Sequence, residues 1–288
     1  MPETQALLPP LAARQTATPT RAVMPRTSAF REPGEGPSAG ISVATVVVLF
    51  ALWFLITAAG WVKPLFLPAP QAVWQQLLLY ASGQANDQPL WQHLAASLLR
   101  VLAAFALACL TALPLGIAMG SSRVVRGIFD PLLEFYRPLP PLAYLPLIII
   151  WFGIDELPKV LLIYLSCFAP LALAARAGMK SATQEQVHAA ASMGASRWQV
   201  IRHVILPAAL PEMLSGMRIA VGFGWTTLVA AEMVAASLGL GQLVLNASNF
   251  LRTDIVLMGI VVIAGVAYGF DLLVRRLERR LVPWKGLG

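Results

Sequence analysis

Charge is what this sequence has least of. Only 12% of its 288 residues are Asp, Glu, Lys or Arg, whereas apolar residues make up 58% and the mean hydropathy is +0.70. Soluble domains carry about a quarter charged residues, so an integral membrane protein is expected. Cysteine is nearly absent as well. Cys109 and Cys167 each lie inside an apolar run and form no CxxC pair. That excludes a disulfide framework and leaves them to pack as small hydrophobes. The three histidines, His93, His188 and His203, are too scattered for a metal-ligand pattern, so no metal site is expected. No lysine follows a glycine: Lys63, Lys159, Lys180 and Lys285 follow Val, Pro, Met and Trp. Without Gly-Lys there is no P-loop, and the chain is not expected to hydrolyse ATP by that route. There is no activated-nucleophile motif, the acidic pairs are loop residues, and the spans carry too few clustered polar groups for an embedded enzyme. No catalytic residue is expected.

What the sequence does have is apolar length. Residues 1–40, with Arg14, Arg21, Arg26 and Arg31 among Pro, Gly, Ser and Thr, cannot bury enough surface to offset ordering entropy and read as a disordered tail. They hold no apolar stretch with a cleavage site, so no secretory signal is expected. A span needs about 20 mostly apolar residues, because the helix must satisfy its own backbone in hydrocarbon. Such stretches lie at 41–62, 101–122, 138–154 and 160–175, from near Leu214 through "IAVGFGWTTLVAA", and at 255–270. The fold class is therefore all-α integral membrane, with about six transmembrane helices. The membrane domain covers 41–278, including a polar loop at 176–211 between the fourth and fifth spans, and a basic tail occupies 279–288. Gly222, Gly224 and Glu232 interrupt the fifth span.

With the amino terminus inside, fifteen of the 21 Lys and Arg fall on the cytoplasmic side. This positive-inside bias puts both termini and the 176–211 loop in the cytoplasm. It explains the net charge of +7 without a nucleic-acid partner.

The loop has local structure of its own. Thr183 with Gln186, and Ser196 with Gln199, have capping-box spacing. Val187, Ala190, Ala191 and Gly194 make a small-residue stripe at helical spacing. Gly194 is a helix stop, and Pro207 is expected to end the second piece. On these grounds alone the loop serves either close docking of another surface or adsorption to anionic lipid through Arg197 and Arg202.

The arrangement Ala189-Ala190, Gly194, then Leu206-Pro207 resembles the EAA loop of ABC-importer permeases, with His188 where the family has Glu and Val204 where it has Ile. "LFLPAPQAVWQQLL", "GIAMGSSRVVRGIFDPLLEFYRPLPPLAYLPLIIIWFGI", "GWTTLVAAEMVAASLGLGQLV" and "RRLVPWKG" extend the likeness over residues 60–286 to the nitrate/sulfonate/taurine branch, and within it to the taurine permeases. The resemblance implies an inner-membrane permease for a small anion, taurine or another alkanesulfonate, with nitrate as the alternative. It implies a coupling helix that docks on a cytoplasmic ATPase, carried here by Val187, His188, Ala189, Ala190, Gly194, Ala195, Ser196, Leu206 and Pro207. It also implies ABC ATPase subunits that hold the ATP and Mg²⁺, a periplasmic substrate-binding protein, and a second permease copy as partners, in a bacterial inner membrane. This chain itself is expected to hold no cofactor. A secondary transporter, working without an ATPase, is the rival of another class.

Charged and small residues at membrane depth are the pathway candidates. Arg137 and Arg218 suit an anion, although both read as near cytoplasmic ends where snorkelling is easy. Glu232 suits a gate or a partner for a neighbouring arginine. Gly222, Gly224 and Trp225 line a pathway if the fifth helix breaks there and pack closely if it does not. Arg100, near the outer end of span two, is given no role. Trp61, Trp91, Trp151 and Trp284 read as interfacial anchors.

Overall fold

The computed structural model describes residues 39–85 and 88–283, and every regular element among them is helical. The expected tail over 1–38, together with Trp284 and Lys285, lies outside the described residues. The first element, α1 (Ala39–Ala58), is apolar throughout and matches the first expected span. From Phe50 onward the chain forms one compact unit. A short helix α2 (Pro70–Ala81) starts on a proline at its first position, where no N–H is needed. The next, α3 (Leu90–Ser121), has 32 residues and measures about 48 Å.

The third expected span is not a single helix. Residues 123–152 form α4 (Arg123–Tyr136) and α5 (Pro141–Phe152), bent by 102° at the break. The break follows from "RPLPP": Pro140 holds an extended backbone (φ −64°, ψ 129°) ahead of Pro141, and a residue before proline is pushed out of the helical region. Twelve residues of α5 reach only about 18 Å, short of the ~30 Å hydrocarbon core. The pair crosses nonetheless. Helix α6 (Glu156–Gly178) runs parallel to α3, since Arg100 meets Glu156 at one end and Gly120 meets Met179 at the other. A chain that leaves α3 at the Gly120 end must return to the Arg100 end before α6 begins, and α4 with α5 makes that return. Among the described residues the count is then five unbroken crossings and one bent one.

After α6 come α7 (Gln184–Ser192) and α8 (Arg197–Val200), a π-helical turn Ile201–Ile205, and α9 (Leu206–Ala235). The chain ends with α10 (Leu240–Asn249) and α11 (Thr253–Leu281). Two expectations are corrected here. Pro207 ends nothing, and the fifth span neither begins near Leu214 nor breaks at Gly222, Gly224 or Glu232. Arg197–Ala235 is one continuous helical stretch of 39 residues. In the π-helical turn the Leu206 N–H donates to the Ile201 carbonyl, so the missing donor of Pro207 falls where the ladder is already rearranged.

The core lies between α3, α6 and α9. Ala104, Ala108, Ala112 and Gly116 recur every fourth residue on α3, and all are buried. A Cβ on Gly116 would lie 2.5 Å from that of Ala175. Helix α9 is antiparallel to α6: Gly178 meets Ala209, Gly216 meets Ala174 and Gly224 meets Cys167. Lipid tails are as apolar as leucine, so helices in a bilayer associate by close approach, which small residues permit. One end of this three-helix core carries Arg100, Glu156 and Glu232. The other carries the Arg176–Asp130 ion pair and the α7–α8 loop.

Candidate functional site

The hydrogen bonds that cap α7 and α8 are local. The Thr183 hydroxyl accepts from Gln186 N–H (3.3 Å) and the Gln186 side chain accepts from Thr183 N–H (3.1 Å), closing the capping box. Ser196 and Gln199 repeat it at the start of α8. Gly194 takes φ +82° between the two helices, and a side chain there would meet nothing within 4 Å. His188, Ala189 and Ser196 are exposed, Val187 and Ala195 half-buried, and Ala190 is buried beneath them. Leu206 and Pro207 are half-buried at the base of α9. Two residues that the sequence reading passed over stand out of this surface: Met193 is 82% exposed and Trp198 67%. The available signal was that they are the only large, flexible or aromatic apolar side chains among the small residues around Gly194.

A second feature is a cavity of about 220 Å³ at the α4–α5 bend, lined by Tyr136, Arg137, Tyr144, Ser166, Ile219 and Phe223 among others. The Tyr136 and Tyr144 hydroxyls lie 3.2 Å apart and tie α4 to α5 across the break. Ser166 donates to the Ile163 carbonyl at 2.7 Å. Arg137 is exposed and lines this cavity together with Ser166, a residue ten positions into the 23-residue α6. It has no ion-pair partner among the described residues.

The other pathway candidates are distributed differently. Gly222 is exposed beside Phe223, with open space above it, whereas Gly224 packs against Cys167 and Trp225 is buried in the core. Arg218 pairs with Asp271 (3.2 Å) and lies 3.7 Å from Glu278, both on α11. Glu232 is wholly buried and does partner an arginine, the one that had no assigned role. Arg100 Nη1 donates to Glu232 Oε1 at 2.7 Å and to the Leu238 carbonyl at 2.7 Å. Its Nε and Nη2 form a two-pronged bond with Glu156 at 2.6 and 2.9 Å, and Lys159 joins Glu156 at 2.8 Å. Ser97 donates to Glu232 Oε1 (2.7 Å), while Gly241 N–H donates to Oε2 (2.8 Å). The two positive and two negative charges balance: Arg100, Lys159 and Glu232 are buried, and Glu156 is 55% exposed. Gly239, at φ +145°, lies so close over the Glu232 carboxylate that a Cβ would come within 2.6 Å of both its oxygens. This turn and its partners are a positioning cluster. Sequence alone had separated its members by more than a hundred residues.

Comparison with known proteins gives this architecture a family. Residues 112–283 match the family described as binding-protein-dependent transport system inner membrane component. The chain is 55% identical to the taurine transport system permease protein of Escherichia coli (strain K12), over 85% of this chain and 90% of that one. It is 37% identical to the putative aliphatic sulfonates transport permease protein of the same organism, over 83% and 89%. Among solved structures, the MetNI methionine ABC transporter in an inward facing conformation aligns with TM-score 0.57 and 16% identity, over 72% of this chain and 98% of that chain, which speaks for the fold alone. The bent crossing, the small-residue core and these likenesses together make the chain a member of the family of multi-pass inner-membrane permeases of binding-protein-dependent ABC importers, a transport subunit and not an enzyme.

Proposed function

We propose that this chain is the permease of an ATP-driven importer that carries taurine or another alkanesulfonate across the bacterial inner membrane. The observation that carries the reading is the 55% identity to a taurine permease over nearly the whole of both chains. The basic residues of the α7–α8 end, with Arg123, Arg126, Arg176 and Lys180, support a cytoplasmic placement of that end and of both termini. A separate ATPase, holding the ATP and Mg²⁺, docks on α7 and the turn after it. His188, Ala189, Gly194 and Ser196 supply a low-relief surface, and Met193 and Trp198 the apolar anchors that interfaces favour. Val187, Ala190 and Ala195 hold that surface from beneath, and Leu206 and Pro207 join it to the membrane. A periplasmic binding protein delivers the solute, and a second copy of the chain completes the pathway.

The continuous stretch from Arg197 to Ala235 suits the transmission of force. At 39 residues it is about 58 Å long. A displacement of the docking loop by the ATPases moves a single rod, whose far end carries Glu232. The two states compared by ATP and by the loaded binding protein then differ in how this rod packs.

Reconstitution tests the reading directly. Vesicles containing this chain, its ATPase and a loaded binding protein are expected to take up labelled taurine only with ATP. Uptake of nitrate or longer alkanesulfonates in the same vesicles defines the solute range. Solute movement by this chain alone, with no nucleotide-consuming partner, would overturn the proposal. Gly194→Leu should weaken co-purification of the ATPase; unchanged recovery counts against the docking surface.

A further inference from the structure

We infer that the cavity at the α4–α5 bend is a station for the anionic head of the solute, read by Arg137, and that it does not read an amine at the solute's other end. The inference rests on the anion-importer reading and names what its pathway recognises. Among the described residues Arg137 is the only charged side chain on the cavity wall, which Tyr136, Tyr144 and Ser166 share as hydroxyl bearers. None of the arginine's donors is engaged in an ion pair among the described residues, and a guanidinium matches an oxyanion through two parallel N–H···O bonds. The tyrosine pair adds a donor. Two hydroxyls 3.2 Å apart use one hydrogen between them and leave the other for an oxygen of the ligand. Ser166 has already given its hydrogen to the Ile163 carbonyl, so it does not compete. The volume of about 220 Å³ equals that of about seven waters at ~30 Å³ each, enough for a two-carbon sulfonate.

The cavity's selectivity follows from what lines it. No carboxylate among the described residues does, so an ammonium group finds no ion-pair partner there, only the apolar faces of Ile219 and Phe223. Taurine and ethanesulfonate, which differ by that amine, should be held alike. Discrimination between them falls to another component of the importer.

The test reads local charge preference independently of transport. Leu139 lies on the cavity rim and is exposed. In a Cys109→Ala, Cys167→Ala background of the full chain in lipid nanodiscs, Leu139→Cys is labelled with sulfonatoethyl or trimethylammonioethyl methanethiosulfonate. The anion-to-cation rate ratio should exceed that of a cysteine at exposed Ile154, and Arg137→Gln should lower it roughly tenfold, whereas Arg137→Lys preserves it. Taurine and ethanesulfonate should slow the labelling at concentrations within about twofold of each other, as expected when neither makes an added ion pair. A ratio unchanged by Arg137→Gln, or no higher at Leu139 than at Ile154 in the Arg137 chain, overturns the inference. Protection by taurine at much lower concentration than ethanesulfonate overturns its second half. An arginine-dependent ratio in a chain whose complex imports no sulfonate supports the station and overturns only the solute proposed above.

Discussion

The two ends of the Arg197–Ala235 rod each adjoin a tight turn and a short helix, and they are secured in opposite ways. Beyond Ala235 the turn into α10 is held mainly by partners far away in sequence, His93, Ser97 and Arg100 on α3 and Glu156 through Arg100, and by the nearer Glu232 beneath Gly239 and Gly241. Before Arg197 the turn at Met193–Ser196 is held by its own caps and projects Met193 and Trp198 outward. Long-range polar anchoring in a water-poor site costs several kcal/mol to undo, because each lost partner leaves a buried charge. Local capping sets a shape and leaves the surface free for something else to grip. The contrast suits a lever with one end embedded in the bundle and the other presented to a motor.

Substitutions should expose the difference by their size. Glu232→Ala, which takes from Arg100 one of its two carboxylates and from Ser97 and Gly241 N–H their acceptor, should destabilise by about 3–5 kcal/mol, read as a large fall in the apparent melting temperature in detergent or as loss of the folded chain. Gly239→Ala places a methyl against the carboxylate in a backbone conformation that L-residues avoid, and should cost about 1–3 kcal/mol by the same measurement. At the opposite end Thr183→Ala removes one cap and should cost about 1 kcal/mol, seen as faster amide exchange confined to α7. Trp198→Ala should change stability by less than about 0.5 kcal/mol yet lower ATPase recovery in co-purification. If Thr183→Ala unfolded the bundle as Glu232→Ala does, the two ends would not differ as described.

Much of the fold was open to reading from residue order. Hydropathy located all six crossings, though not that α4 joins the third, and the capping boxes at Thr183 and Ser196 formed as their spacing required. These features are local, depending on residues three or four apart or on composition over one helix. Where inference erred, a neighbour intervened. Pro207 passed through a helix because a π-helical turn accommodated it, and Gly224 did not break α9 because Cys167 packs against it. The "RPLPP" run was visible, but that it would put Arg137 on a cavity wall with Ser166 and Phe223 depended on where α6 and α9 left room. Arg100 was the largest omission, since its partners Glu156 and Glu232 lie 56 and 132 residues away.

Sequence by itself determined the solvent of this protein, the count of crossings and the shape of the α7–α8 loop, because hydropathy and capping act over a few residues. Tertiary structure alone decided which arginine is locked and which is available. Arg100 and Arg137 have the same side chain and similar apolar flanks, and only the approach of α6 and α9 gives one two carboxylates and the other a cavity.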